Sequence, residues 1–157
     1  MGDGSASLVV TEVAADEATA VVKRGGTMRG RPGVHVPSSR LTQSSPTPED
    51  IKYFDAVYEA GVDMVAVSFV KTGRDMRALG GEAAPRGPML VAKIETQAAV
   101  DNLESILEHS DAVMVARGDL GLECSLPGLP ALQKKIIAAS VEAGKPCLLY
   151  TSPSPRD

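Results

Sequence analysis

The sequence predicts an α/β protein built on a parallel sheet. Short apolar runs begin near residues 64, 89 and 112, and longer amphipathic runs separate them. The apolar runs lack regular polar alternation, which is typical of strands buried on both faces. Repeated strand and helix units of this size predict a parallel sheet with helices outside. A doubly wound sheet and a (β/α)₈ barrel both fit this pattern, and a complete barrel needs about 250 residues.

The N-terminal part predicts a small β element. Ser7–Val13 and Ala18–Lys23 are rich in β-branched residues, and the turn-like Ala15–Glu17 lies between them, which indicates two antiparallel strands. Gly30–Pro37 reads as an extended connector because its prolines oppose helix. We expect a domain boundary near Pro37.

The first helix has clear start and stop signals. Thr47 is the expected N-cap, Pro48 stands at the first helical position, and Asp50 stands where a capping-box acid belongs. Gly61 is expected to end the helix. Its predicted inward face comprises Ile51, Phe54, Val57 and Tyr58.

The later elements follow from apolar periodicity. They are strands at Met64–Phe69, Met89–Ile94 and Ala112–Ala116, and helices at Thr72–Leu79, Gln97–His109 and Pro130–Ala143. The predicted inward residues of the last two helices are Val100, Leu103, Ile106 and Leu107, and Leu132, Ile136 and Val141.

Composition excludes several classes of partner. The net charge is −4 and no basic patch is interleaved with aromatic residues, so we expect no nucleic-acid partner. No apolar run approaches the roughly 20 residues of a membrane span, and the N-terminus lacks a signal peptide's apolar core. Cys124 and Cys147 show no metal or redox spacing, which favours unpaired thiols in a reducing cytoplasm.

Charged residues end two of the predicted strands. Lys93 and Glu95 are two residues apart, so their side chains share one face of the strand. Because buried charges are costly unless they are paired or bound to something, this pair indicates either a simple ion pair at the rim or a ligand site.

Asp119 follows the next strand, one βα unit later. The carboxyl ends of parallel strands carry ligand chemistry, so Glu95 and Asp119 are expected to flank one site. Two carboxylates with open positions suit Mg²⁺, and Gly118 lets backbone N–H groups approach an anion closely. Arg117–Gly121 alone also fits a mere turn opening a helix.

Several segments resemble pyruvate kinase. VAKIET (Val91–Thr96) is similar to that family's active-site lysine signature, and VMVARGDLGLE (Val113–Glu123) to its metal- and substrate-binding loop. Further resemblances, in the family's order, are GDG (Gly2–Gly4), GVHVP (Gly33–Pro37), GVDMVAVSF (Gly61–Phe69), LQKKII (Leu132–Ile137) and EAGKP (Glu142–Pro146).

The resemblance implies a partial (β/α)₈ TIM barrel preceded by the tail of a small inserted β domain. Residues 1–36 would be that tail, and residues 37–146 would be barrel units four to six with the start of unit seven. Cys147–Asp157 (CLLYTSPSPRD) resembles a translated sequencing adapter, so we expect residues 147–157 to be a non-native tail.

The implied reaction is phosphoryl transfer from phosphoenolpyruvate to ADP, giving pyruvate and ATP in glycolysis. By the resemblance, Lys93 would neutralise the charge of the phosphoryl group during its transfer, and Glu95 and Asp119 would hold Mg²⁺. The backbone around Ala116, Gly118 and Asp119 would bind the carboxylate of the substrate. The family also implies K⁺, a cytoplasmic location and a homotetramer. We expect the 157-residue chain alone to be inactive.

Two other functions fit parts of this pattern. A metal-dependent aldolase or lyase on a related barrel also places carboxylates at successive strand ends. A non-catalytic remnant would keep only the fold. The GVHVP connector after a small β element favours the kinase over the lyase.

Overall fold

The computed structural model of this chain describes residues 6–27, 30, 33–40, 45–124 and 126–150. The chain divides into two units, Met1–Pro37 and Ser38–Asp157. The described helices include none that is long and apolar enough to cross a membrane. The GDG segment lies outside the described residues.

The first unit contains one antiparallel hairpin. Strand β1 (Ser7–Val13) pairs with β2 (Ala18–Arg24), with Val9 opposite Val21. The turn between them is closed by the backbone N–H of Ala14, which donates to the carbonyl of Glu17 at 2.8 Å. The predicted pair of antiparallel strands is confirmed.

The second unit contains a parallel sheet of four described strands. They are β3 (Met64–Val67), β4 (Met89–Ile94), β5 (Ala112–Ala116) and β6 (Cys147–Tyr150). Their order in the sheet is β3-β4-β5-β6, the same as their order along the chain. Each neighbouring pair is parallel, with Ala92 opposite both Val67 and Val113. The predicted α/β class with a parallel sheet is confirmed.

Six α-helices are described in the second unit. They are α1 (Pro48–Glu59), α2 (Gly73–Arg77), α3 (Gln97–Asp101), α4 (Leu103–Glu108), α5 (Arg117–Glu123) and α6 (Leu129–Glu142). Short 3₁₀ turns lie at Ser38–Arg40 and Leu126–Gly128.

Helix α1 begins as the sequence predicts. Thr47 caps it, its hydroxyl accepts from the Asp50 N–H at 3.1 Å, and the Asp50 carboxylate accepts from the Thr47 N–H at 2.8 Å. This reciprocal capping box satisfies backbone donors that the first turn leaves open. Gly61 follows the helix with a φ of 73°, a conformation that glycine adopts without steric cost.

Strand β3 is shorter than predicted. The expected strand continues to Phe69, but the structure ends it at Val67. Phe69 has a φ of 53°, which lies in the left-handed region and is incompatible with a continuing strand. Ser68 and Phe69 therefore form a turn.

The predicted helix Gln97–His109 is two helices. Asn102 separates α3 from α4 with a φ of −107° and a ψ of 22°. Its side-chain amide donates to the carbonyl of Ala98 at 2.9 Å, and such local bonds compete with regular helix. The predicted inward residues of this segment are all buried: Val100, Leu103, Ile106 and Leu107.

Helix α6 has a different inward face from the predicted one. Ile136 is fully buried and Leu132 packs against the core, as expected. The assignment of Val141 to this face is wrong, because the residue is 71% exposed. Ser140 is buried there instead, and its hydroxyl donates to the carbonyl of Ile136 at 2.7 Å. This local bond lets a small polar residue occupy an inward position.

Residues from the predicted tail are also part of the sheet. Cys147–Tyr150 form β6, which pairs with β5, and residues 151–157 lie outside the described part of the chain. The assignment of residues 147–157 as non-native stays a prediction.

Candidate active site

The end of β4 places two charged side chains on one face of the sheet. Ala92 and Ile94 are fully buried, whereas Lys93, between them, is only partly buried. Glu95 follows the last strand residue, and Thr96 then caps α3 by accepting from the N–H of Ala99. The chain thus passes from strand to helix at Glu95, which fixes this carboxylate at the carboxyl edge of the sheet.

Lys93 and Glu95 form a close ion pair. The Lys93 Nζ lies 2.7 Å from the Glu95 Oε1, and the two side chains are 24% and 1% exposed. Removing one carboxylate this completely from water costs on the order of several kcal/mol unless partners compensate for its charge. The predicted sharing of one face is therefore realised as direct contact.

The turn after β3 supplies further partners that sequence reasoning missed. The backbone N–H of Phe69 donates to the Glu95 Oε2 at 2.6 Å, and the Lys93 ammonium donates to the Ser68 Oγ at 2.9 Å. The strand register places these residues at the site, because Val67 stands opposite Ala92 and the residues after Val67 therefore come beside Lys93.

One oxygen of Glu95 has the Lys93 ammonium as its charged neighbour but accepts no hydrogen bond within the described segments. Its Oε1 is buried and accepts no hydrogen bond from the described residues. The Lys93 ammonium approaches it within ion-pair distance but without hydrogen-bond geometry. A buried carboxylate oxygen with unused lone pairs suits a hard cation such as Mg²⁺.

Asp119 lies in the first turn of α5. This helix begins directly after β5, with Arg117 and Gly118 exposed and Asp119 half-buried. Leu120, fully buried, anchors the turn. No hydrogen bond or ion pair joins the Asp119 carboxylate to another residue of the described segments.

The structure thus brings the predicted residues together in two groups. Lys93 and Glu95 are in contact, whereas Asp119 follows the neighbouring strand, at the same edge of the sheet, and forms no ion pair with Lys93. A side chain added at Gly118 would meet no atom within 4 Å, so its backbone faces open space. Buried Ala116 ends β5 beside it.

The described residues contain no cluster of three or more His, Cys, Asp or Glu side chains suited to a metal ion. Two carboxylates are nevertheless enough for Mg²⁺, which keeps several waters and often binds through one or two carboxylates plus substrate oxygens. The donor set of Glu95 and Asp119 fits that requirement.

The two cysteines are not activated nucleophiles. Both are free, and burial raises the pKa of the Cys124 thiol above its ordinary value, as it does for Cys147. Nearby Glu123 and Asp101 raise the pKa of Cys124 further. A raised pKa disfavours the reactive thiolate.

A separate cavity of about 490 Å³ lies at α2 and α4. Its lining includes Arg74, Arg77, Ser105 and His109. None of the predicted site residues lines this cavity, so it is not part of the candidate site at the strand ends.

Comparison with known proteins agrees with the segments singled out above. The family model described as "Pyruvate kinase, barrel domain" matches residues 1–152. A pyruvate kinase of Methylorubrum extorquens is 40% identical over 149 residues, covering 95% of this chain and 31% of that protein. One of Agrobacterium vitis is 41% identical over 152 residues, with coverages of 95% and 31%.

A more distant relative extends the same result. A pyruvate kinase of Thermotoga maritima is 37% identical over 153 residues, covering 96% of this chain and 33% of that protein. The chain therefore spans about a third of the length of the curated relatives it matches. The match runs through both segments that carry Lys93, Glu95 and Asp119, and nothing in it favours the aldolase or lyase alternative. The chain belongs to the pyruvate kinase family.

Proposed function

We propose that this chain is the part of a pyruvate kinase that carries the phosphoryl-transfer lysine and the metal-binding carboxylates. The reaction is transfer of the phosphoryl group from phosphoenolpyruvate to ADP, giving pyruvate and ATP. The observation that supports it best is the contact of Lys93 with Glu95 at the carboxyl edge of a parallel sheet, where barrel enzymes hold their ligands.

Lys93 is the residue that neutralises the phosphoryl group during transfer. The Lys93 side chain is 24% exposed and the Glu95 side chain is 1% exposed, so the lysine is the more accessible member of the pair. Phosphoryl transfer needs positioning and charge neutralisation more than covalent help, and a lysine beside the reacting group meets that need.

Glu95 and Asp119 are the residues that hold Mg²⁺. This role is supported by the Glu95 Oε1, which accepts no hydrogen bond from the described residues, and by the half-buried position of Asp119 in the first turn of α5. When bound, the ion supplies positive charge to the phosphoryl group and to the enolate oxygen. The K⁺ requirement is a family expectation only.

The backbone at Ala116, Gly118 and Asp119 receives the substrate carboxylate. The open space at Gly118 supports this assignment because a ligand oxygen can approach the main chain there. The short α5 begins at the same point, after β5.

The larger setting is a partial (β/α)₈ barrel. The strands follow one another in the sheet in the same order as along the chain, without reversal, which supports a barrel. A doubly wound sheet reverses its strand order at a switch point. Residues 1–36 are proposed as the tail of an inserted β domain and residues 37–146 as barrel units. The parent protein is proposed to be a cytoplasmic homotetramer.

A chimera tests the proposed reaction. Residues 38–146 replace the matching segment of the Methylorubrum extorquens pyruvate kinase, and formation of ATP and pyruvate from phosphoenolpyruvate and ADP is measured. We expect activity, and a loss of about 10²–10³ in rate on Lys93→Met, the cost typical of one electrostatic contact to the transition state.

Lys134→Met is the matched control, since Lys134 is exposed on α6. Such surface substitutions usually change the free energy of unfolding by about 0.5 kcal/mol or less. The control is therefore expected to fold normally and, because Lys134 is not a proposed site residue, to keep its rate within about 2-fold. A folded chimera without activity, or an active one indifferent to Lys93→Met, would contradict the assignment.

A further inference from the structure

The turn after β3 contains a residue in an unfavourable backbone conformation. Phe69 has a φ of 53°, and within the described ranges no other residue except glycine has a positive φ. A left-handed conformation costs a residue with a side chain about 1–2 kcal/mol. Such conformations persist where the surroundings fix them, often at functional sites.

Burial of the aromatic ring does not explain this conformation. Phe69 is 50% exposed, so the residue gains only part of the stabilisation that full burial would give. The main-chain contact is more informative. The Phe69 N–H donates to the Glu95 Oε2 at 2.6 Å, and a bond from an amide to a carboxylate is stronger than one between neutral groups.

This bond distinguishes the two oxygens of Glu95. Oε2 is held by the Phe69 amide, whereas Oε1 lies 2.7 Å from the Lys93 ammonium and accepts no hydrogen bond from the described residues. Beside it, Ser68 accepts from the Lys93 ammonium at 2.9 Å. Two adjacent residues of one turn therefore hold both members of the ion pair.

We propose that Phe69 is a positioning residue for the metal-binding carboxylate. Its left-handed backbone aims the amide at Oε2 and thereby presents Oε1 to a divalent cation. The inference rests on the proposed function, because it takes Glu95 to be a cation ligand. Partners of metal ligands commonly change metal affinity by about 10–100-fold when they are lost.

The test compares two substitutions that both remove the ring. Asparagine tolerates a positive φ, whereas valine, which is β-branched, does not. Phe69→Val therefore moves the amide away from Glu95, and Phe69→Asn keeps it. Binding of Mn²⁺, used as the probe, is measured by electron paramagnetic resonance of the free ion with the 157-residue chain.

We expect Phe69→Val to raise the Mn²⁺ Kd by about 10-fold or more and Phe69→Asn to leave it within about 2-fold. Phe69→Gly, which adopts a positive φ freely, is expected to bind like the original chain and covers the case in which the valine variant does not fold. Circular dichroism reports folding of each variant.

Equal affinities in folded Val and Asn variants would overturn the inference, as would lost affinity in a folded Gly variant. In either case binding by the original chain would leave the proposed function standing. Failure of the folded original chain to bind Mn²⁺ would overturn the metal site and this inference with it.

Discussion

The Glu95 carboxylate is 1% exposed, and the ammonium of Lys93 lies 2.7 Å from it. At such burial each ion needs the other to compensate its charge, since an uncompensated charge in the interior is strongly destabilising. The Phe69 amide contributes a second compensating contact. The same arrangement that supports the proposed chemistry therefore also contributes to the stability of the fold.

Lys93→Met is expected to lower the free energy of unfolding by about 3 kcal/mol, because it leaves the Glu95 charge buried with one partner fewer. Adding Glu95→Gln removes that charge, so the double variant should recover part of the loss. Urea unfolding of the two single variants and the double variant measures the coupling. Additive losses, with no recovery, would mean that the ion pair contributes nothing to stability.

Part of the site was predictable from single residues. The two-residue spacing of Lys93 and Glu95 predicts a shared face, and the structure brings them into contact. The contribution of Phe69 was not predictable, because it comes from a backbone N–H in a conformation that phenylalanine rarely adopts. Side-chain patterns carry no signal for such a contact.

Among the elements, helix starts were well predicted and helix interiors less so. The capping box of α1 has a sequence signature and is present. The break between α3 and α4 has none, since Asn102 is an acceptable helix residue whose side chain happens to bond back to Ala98. The exposed Val141 shows that periodicity alone cannot identify which side of a helix end contacts the core.

The capping box of α1 makes a pH-dependent contribution to stability. Hydrogen bonds from the Thr47 side chain and backbone lower the pKa of Asp50. A carboxyl group with a lowered pKa in the folded state stabilises above its ordinary pKa, and this contribution is lost as the pH falls through the lowered value. Asp50→Asn is expected to lower the free energy of unfolding by about 0.5 kcal/mol at pH 7 and by less at pH 3.

Urea unfolding at several pH values between 7 and 3 measures that difference. Asp55→Asn is the control, because Asp55 is exposed on the same helix outside its first turn. Its effect on the free energy of unfolding should not follow the same trend. A difference for Asp50→Asn that stays constant with pH would contradict the capping-box explanation.

Helices α2 and α4 approach each other at a glycine. A Cβ at Gly73 would lie 2.0 Å from the carbonyl oxygen of Ser105, and the Gly73 N–H donates to the Ser105 Oγ at 3.1 Å. Gly73→Ala is expected to lower the free energy of unfolding by about 3 kcal/mol, at the upper end of typical overpacking costs, because backbone must move.

The control for this packing prediction is Gly33→Ala, since an added Cβ there meets no atom within 4 Å. Its expected effect on the free energy of unfolding is about 0.5 kcal/mol or less. Comparable urea midpoints for the two alanine variants would show that α2 is free to shift away from α4.

Over the whole molecule, the alternation of helix and strand was enough to predict a parallel sheet, because each βα unit repeats the same local signals. The strand order β3-β4-β5-β6 was not predictable from those signals. A doubly wound sheet uses the same local elements in a different order. Order depends on contacts between distant segments, which periodicity does not encode.

The 157-residue chain by itself is expected to form no ATP from phosphoenolpyruvate, ADP, Mg²⁺ and K⁺. Strands β3 and β6 each pair on one side only within the described sheet, which leaves backbone groups unpaired by the sheet. The chain also spans only about a third of its relatives, and phosphoryl transfer needs both substrates held in place. A luciferase assay measures ATP, with the chimera as positive control. ATP formation that Lys93→Met abolishes would prove the expectation wrong, because contaminating kinase would not respond to that substitution.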